Sequence, residues 1–546
     1  MIRGLELGIQ TEQAGEEAAQ TRGLSTDGPP VEFSTRVSDR AATNRAPETG
    51  EANGRTDRLM VLITTPSKAM IGLYIALCIA LMMCFVQGDV LYNAFVANAV
   101  ARGHPDVYSY FQSNIAIRYI DTVMPPLFYL ATGAYLKLLM LIHLDPVSSN
   151  PAYLYLRLFN QTKGLGLSAG LLLLKLPNLI AVLAGIPLSV CLAKRSQADS
   201  HVVMLLWAAS PVLLVTSLMQ AQNDAIPAVI TLAALVVLSN AVGAGTSSES
   251  DGSEAAPTAS RPRGMTSSFE WAMILIGLAS CFKSYALVLV PVTALVLSNR
   301  DLITVIRLGV LGVLPPVLFT LPFVFDHAFM SRVFGAHDDN TLLGASYSGR
   351  LPTHPWALTY LGVLLAGWII SRRRVAVIDI VCLWFVSLGM IFVVNWWVPQ
   401  WVVWLLPMIL IFAGRDRLFA WMWLALNALL LTNDLINYPG NMDGAMLMPF
   451  YGDRNHPANS HVYDYHLYQL WHLVPAGVID GLYIVIGAVF LALCVRAAQW
   501  LIAGASVPRE QTRLSELLPS ARLAALIAPT LLLPYITVMV IQRLVA

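Results

Sequence analysis

Leu165 to Gly243 reads LGLSAGLLLLKLPNLIAVLAGIPLSVCLAKRSQADSHVVMLLWAASPVLLVTSLMQAQNDAIPAVITLAALVVLSNAVG. Three apolar runs follow one another, each near the ~20 residues that a helix needs to cross ~30 Å of hydrocarbon. The joints between them are short and differ in kind. Lys194-Arg195 makes the first basic, whereas Gln220 to Asp224 (QAQND) carries no Lys or Arg. Basic residues in short loops mark the cytoplasmic side of a membrane protein. The first joint therefore belongs inside and the second outside.

The same alternation runs on to the C-terminus. Arg261 and Arg263, Arg300, Arg372 to Arg374, Arg415 with Arg417, and the stretch from Arg496 to Arg522 fall inside. Between them, the FKSY turn at Phe282 to Tyr285, the loop from Asp326 to His354, the NWWVPQ turn at Asn395 to Gln400 and the loop from Asn433 to His472 fall outside. Composition agrees. The chain is 56% hydrophobic and 12% charged, against roughly 45–50% and about 25% in soluble domains. A net charge of +1 supplies no global field for nucleic acid. All six cysteines lie in apolar runs without metal spacing, as buried free thiols do.

Toward the N-terminus the alternation breaks. Residues 1–66, rich in Glu, Thr, Ala, Arg and Gly, are expected to form a disordered cytoplasmic head. They contain no short apolar stretch of the signal-peptide kind. The first span, about Ser67 to Gln87, then emerges outside at Asp89. An odd number of crossings must return the chain to Lys194-Arg195, yet two apolar stretches lie between. Parity is restored if MPPLFYLATGAYLKLLMLIH (Met124 to His143) lies on the external surface or dips in without crossing. The expected fold is all-α and polytopic, with about 13 transmembrane helices and external juxtamembrane helices. The membrane domain covers 67–546, with a flexible cytoplasmic loop at 243–268 and external loops at 88–164, 326–354 and 433–475.

With this topology the telling polar residues sit at the external lips of spans, where an uncompensated charge is costly. Asp89 follows the first span directly. It either caps a helix or takes a proton from a hydroxyl as general base. Asp224 begins a span with Pro227 in the first turn, which suits a cap, but Gln222, Asn223 and Asp224 together offer more hydrogen-bonding groups than one cap uses. Lys283, in CFKSYALVLVP, either snorkels outward or binds an anion as a point charge, with Arg350 able to help hold the same anion. Asn395, Trp396, Trp397, Gln400, Trp401 and Trp404 crowd VVNWWVPQWVVWLLP, as an interfacial aromatic belt or as a surface for sugar or isoprenoid. No Walker A loop, HExxH or GxSxG elbow is present. No metal ligands are assigned and no cofactor is indicated, although a divalent metal would be compatible.

Taken in order, these segments resemble the polytopic glycosyltransferases of the C superfamily (GT-C), and most of all the bacterial relatives of the mannosyl- and glucosyltransferases of GPI and dolichol pathways. The likeness lies in Asp89 followed by ANAVARGHPDVY, in PPLFYL at Pro125 to Leu130 with the KLPNLIAVLAG span after it, in QNDAIP with FKSYALVLVP, and in VPQWVVWLLP. The resemblance implies a polyprenyl-phosphate sugar donor, inverting transfer of a hexose such as mannose, and an external acceptor that is a glycan, lipid or protein. It makes Asp89 the general base, places Lys283 near the donor phosphate, and implies a bacterial plasma membrane with the site on its external face. Three departures stand out. Val90 and Leu91 follow Asp89 where many relatives have a second acid. Ala221 replaces the family glycine, and Val398 and Trp401 replace its histidine and tyrosine. A secondary transporter or lipid flippase would instead need charges near mid-span and paired broken helices. A polysaccharide polymerase or ligase would centre on the loop from Asn433 to His472.

Overall fold

A computed structural model describes residues 68–85, 88–113, 124–144, 165–243, 263–335, 354–373, 375–394, 399–437, 474–503 and 518–537. All belong to the compact unit Glu51–Ala546. The head and the greater part of the loops at 243–268, 326–354 and 433–475 lie outside these residues. Every regular element among the described residues is helical.

In chain order the longer α-helices are α1 (Lys68–Cys84), α2 (Gly88–Ala101), α3 (Val107–Ser113), α4 (Pro126–Leu141), α5 (Leu165–Arg195), α6 (Ser200–Ala208), α7 (Ala225–Gly243), α8 (Arg263–Ser280), α9 (Leu289–Leu297), α10 (Leu302–Thr320), α11 (His354–Ile370), α12 (Val377–Val394), α13 (Leu406–Ala413), α14 (Arg417–Asn437), α15 (Ala476–Ala503) and α16 (Ala521–Ile527). Among the described residues seven helical segments are long and apolar enough to cross a bilayer, and seven shorter apolar helices accompany them. One of the shorter ones is α4. On α10 the exposed residues Ile303, Ile306, Val310, Leu314 and Leu318 form a stripe at helical spacing. Water would not tolerate that stripe and lipid does. The chain is an integral, polytopic, all-α membrane protein.

The joints gather into two groups, as the alternation requires. At the basic end, Asp199 N donates to Gly414 O, Arg415 to Ser196 O, Arg522 to Asp199, Arg496 to Asp416 and Arg300 to Trp368 O. Each bond ties a basic joint to another joint or to a neighbouring helix end. At the opposite end α2 and α4 pack along each other. A Cβ on Gly133 would stand 2.5 Å from Val100 Cβ and 2.9 Å from Ala97 O, so only glycine permits that approach. Tyr135 anchors α4 to α5 through Leu173 O at 2.7 Å. A separate aromatic cluster of Tyr108, Phe111, Phe128, Tyr129, Phe323 and Phe329 joins α3 and α4 to the chain that follows α10. Several boundaries differ from the sequence reading: α8 begins at Arg263, inside the expected 243–268 loop, and His327 to Gly335 is helical, inside the expected 326–354 loop. Helix α14 runs to Asn437, so Asn433 and Asp434 lie in its last turns and not in a loop, because the apolar pattern continues on its buried side past those two residues.

Candidate functional site

Three membrane segments lose α-helical geometry at the same end. Val215–Met219 winds as a π-helix. Ser284–Val288 and Pro399–Leu405, the entries to α9 and α13, are 3-10 turns. Irregular backbone at membrane depth survives only where protein or a polar cavity satisfies it, and π-bulges are frequent at functional sites. The QAQND turn joins the first of these segments to α7. Its second residue, Ala221, has φ +56°, a left-handed conformation that glycine adopts freely and alanine does not.

Asp224 is fully buried. Its backbone begins α7 by accepting from Ala228 N, but its side chain turns elsewhere. Oδ1 accepts from Trp404 Nε1 at 2.6 Å and lies 3.8 Å from Lys283 Nζ. Oδ2 is buried without a hydrogen-bond partner. Burial pushes this carboxyl above the usual range, against the opposing pull of Lys283 and the Trp404 N–H. Trp404 stacks on Tyr285, ring centroids 4.2 Å apart, and on Trp401 at 5.0 Å. The Lys283 side chain is 16% exposed, so its ammonium stands at the boundary between the buried carboxylate and the outside. The preceding residue, Phe282, packs on the aromatic cluster.

The fold thus unites Asp224 and Lys283 from distant parts of the sequence, with Gln222 buried and Asn223 half-buried on the same turn. Gln400 is half-buried on the short helix that carries Trp404. Asp89 sits in the first turn of α2; its side chain lies outside the described residues, as do Arg350, Asn395 and Trp397. The FKSY turn is shorter than the sequence suggests, since Ser284 and Tyr285 already belong to the 3-10 entry.

Sequence reasoning passed over two sets of buried polar groups. Asp434 accepts from both Gln220 Nε2, at 2.9 and 3.1 Å, and Tyr535 OH, at 2.6 Å, which brings the C-terminal helix to the start of the turn. Lys175 and Asn178 on α5 reach the same region. The available signal was polar residues inside otherwise apolar runs, which rarely occur in lipid without a partner. Lys175 is also the in-span charge that a transporter would need, yet its three donors are spent on backbone carbonyls and leave nothing for a cargo.

No family model matches the chain, and no curated protein does. Among solved structures it is similar to ArnT from Cupriavidus metallidurans bound to undecaprenyl phosphate, with 16% identity over 88% of this chain and 78% of that one and a TM-score of 0.41.

Proposed function

We propose that the protein is a membrane glycosyltransferase. It would move one hexose, mannose being the first to try, from a polyprenyl-phosphate sugar to an extracytoplasmic glycan, lipid or protein, with inversion at the anomeric carbon. The reading places it in a bacterial plasma membrane with the site on the external face, where α2 and α4 would lie along the surface without crossing. The observation that carries it is Asp224 Oδ2. A buried carboxylate oxygen with no partner, beside a cation at the boundary and a stacked aromatic wall, is matched to a ligand that brings both hydroxyls and negative charge. A sugar hydroxyl donated to Oδ2 would complete the acid's hydrogen bonding. Aromatic faces suit the apolar face of a hexose.

Outside the cell no nucleotide sugar is at hand, so the activated sugar must arrive on a lipid. Lys283 would then face the donor phosphate and stabilise the charge that develops as it departs. Asp89, the first acid after the first span, would take the proton from the acceptor hydroxyl. The QNDAIP, FKSYALVLVP and VPQWVVWLLP resemblance supports these roles, because those three segments are the ones that supply Asp224, Lys283 and Trp404. No step calls on a metal or cofactor.

The test is to incubate the purified protein with a panel of radiolabelled polyprenyl-phosphate hexoses and envelope extracts as acceptor. Acceptor-dependent transfer from one donor, with the product anomer opposite to that of the donor, is the expected result. Failure to bind or turn over any member of the panel overturns the reading.

A further inference from the structure

The roles above make no use of Lys175. It belongs to the KLPNLIAVLAG stretch of α5 and is completely buried. Its Nζ donates to Phe85 O at 2.6 Å, Leu218 O at 3.0 Å and Met219 O at 2.8 Å. One turn further along α5, Asn178 Nδ2 donates to Ser217 O at 3.1 Å and Gln222 O at 3.2 Å.

The backbone around the turn explains why these side chains are needed. Carbonyls at membrane depth must find donors within the protein. Val215 O and Thr216 O receive the amides of Gln220 and Gln222, each at 2.8 Å. The π-helix then gives way to the turn, and the carbonyls of Ser217, Leu218 and Met219 are met by Asn178 and Lys175. Among side chains only an ammonium offers three donors from a single atom. Burying one is costly unless each donor is matched, and here each is.

The two segments that Lys175 holds are not neighbours in sequence. Phe85 ends the described part of the first span, four residues before Asp89, a length of chain that reaches at most ~14 Å. Leu218 and Met219 lead directly into Gln220 to Asp224. We propose that Lys175 is a positioning residue: its ammonium pins the exit of the first span to the QAQND turn and so sets the distance between Asp89 and Asp224, while Asn178 holds the turn alone. The use of that distance rests on the glycosyltransferase reading; the clamp itself does not.

Hydrogen exchange of the full chain in nanodiscs separates the two. In Lys175→Met, peptides covering 85–92 and 216–224 should both exchange at least ~10-fold faster, as local openings no longer cost the clamp, while a peptide from α12 stays protected. In Asn178→Ala only 216–224 should loosen. Should Lys175→Met not survive extraction, Lys175→Gln, with two donors in place of three, is read in the same way. Unchanged exchange in 85–92, with α12 intact, overturns the clamp. In transfer assays the Lys175 variant should lose kcat by roughly 10–100-fold, as expected for misplaced reacting groups, with KM for the donor nearly unchanged. An equal rise in KM would put Lys175 at the donor site and overturn its positioning role. If exchange responds as stated but the wild type transfers no sugar, the clamp stands and the glycosyltransferase reading falls.

Discussion

Asp224 is spent differently from the other aspartates that open helices in the bundle. At the basic end Asp199 accepts the amides of His201 and Val202 and pairs with Arg522 at 2.7 Å. Asp416 accepts Leu418 N and pairs with Arg496 at 2.9 Å. Asp301 accepts Ile303 N and Thr304 N. Each is a cap, two of them with a counter-ion, and their hydrogen bonds are local and complete. Asp224 occupies the same kind of position, just before a span, yet leaves its helix's first amides alone. It takes an indole N–H from 180 residues away and keeps one oxygen unmatched. A residue that only held the fold together would be expected to look like Asp199. Asp326 also leaves one oxygen unmatched, but it caps its own helix; what sets Asp224 apart is that its partners, Trp404 and Lys283, come from other segments.

The contrast depends on the two ends facing different compartments, and labelling in intact cells can break it outright. Cysteines introduced at Ser253 and Arg373 should be inaccessible to a membrane-impermeant thiol reagent, whereas those at Ser346 and Asn459 should react. Equal labelling of all four would remove the sidedness on which the donor argument stands.

Next in size is Asp89→Asn. If Asp89 is the base, turnover should fall by roughly 10²–10⁴-fold, the usual worth of positioned proton transfer, with donor binding unchanged. Asparagine is as good a cap as aspartate, so a purely capping Asp89 predicts wild-type turnover. Asp199→Asn is the matched control. It loses an ion pair of partly exposed groups, worth at most about 1 kcal/mol, and should leave transfer untouched.

Lys283 sharpens the contrast further. Lys283→Ala should weaken donor binding by roughly 10–100-fold, the worth of about 1.5–3 kcal/mol for a hydrogen bond to a charged group. Lys283→Arg should retain part of it, because the charge survives. Donor affinity measured by competition with a polyprenyl phosphate decides this, and equal affinity in all three proteins returns Lys283 to an ordinary snorkelling lysine.

Hydrophobic length and the alternation of charge were enough to read the fold, because the bilayer imposes both on any chain that crosses it. Part of the site was legible for a related reason. Asp224 and Lys283 are polar residues at span ends in otherwise apolar sequence, where they are expensive. Their pairing was not legible, since it depends on α7 and α8 packing side by side and on Trp404 arriving from the far half of the chain. Tyr285 and Trp404 look in sequence like any aromatic belt; only stacking beside the acid distinguishes them. Lys175 was visible inside its apolar run, but its meaning lies in three carbonyls, and carbonyls are the same in every residue.

The smallest effect tests whether the polar turn is tuned or merely tight. Ala221, at φ +56°, and Gln197, at φ +57°, are left-handed residues in the two joints that flank the span Ser200–Met219, one at each end. An L-residue in that conformation gives up roughly 1 kcal/mol. Glycine removes the cost but gains back about 0.4–1 kcal/mol of freedom in the unfolded chain. Ala221→Gly and Gln197→Gly should therefore each shift thermal stability in detergent by no more than about 1 kcal/mol, and by similar amounts. Activity should separate them. Gln197 lies among the caps and arginines of the basic end, and its replacement should leave kcat and KM alone. Ala221 leads directly into Gln222, Asn223 and Asp224, so a freer residue there loosens the turn that positions the proposed donor-binding acid. A modest rise in the donor KM in Ala221→Gly alone, with stability matched between the two variants, would show that alanine at this position pre-organises the turn. Matched kinetics in both would make the two left-handed residues equivalent and place the tuning of Asp224 with Lys283 and Trp404 instead.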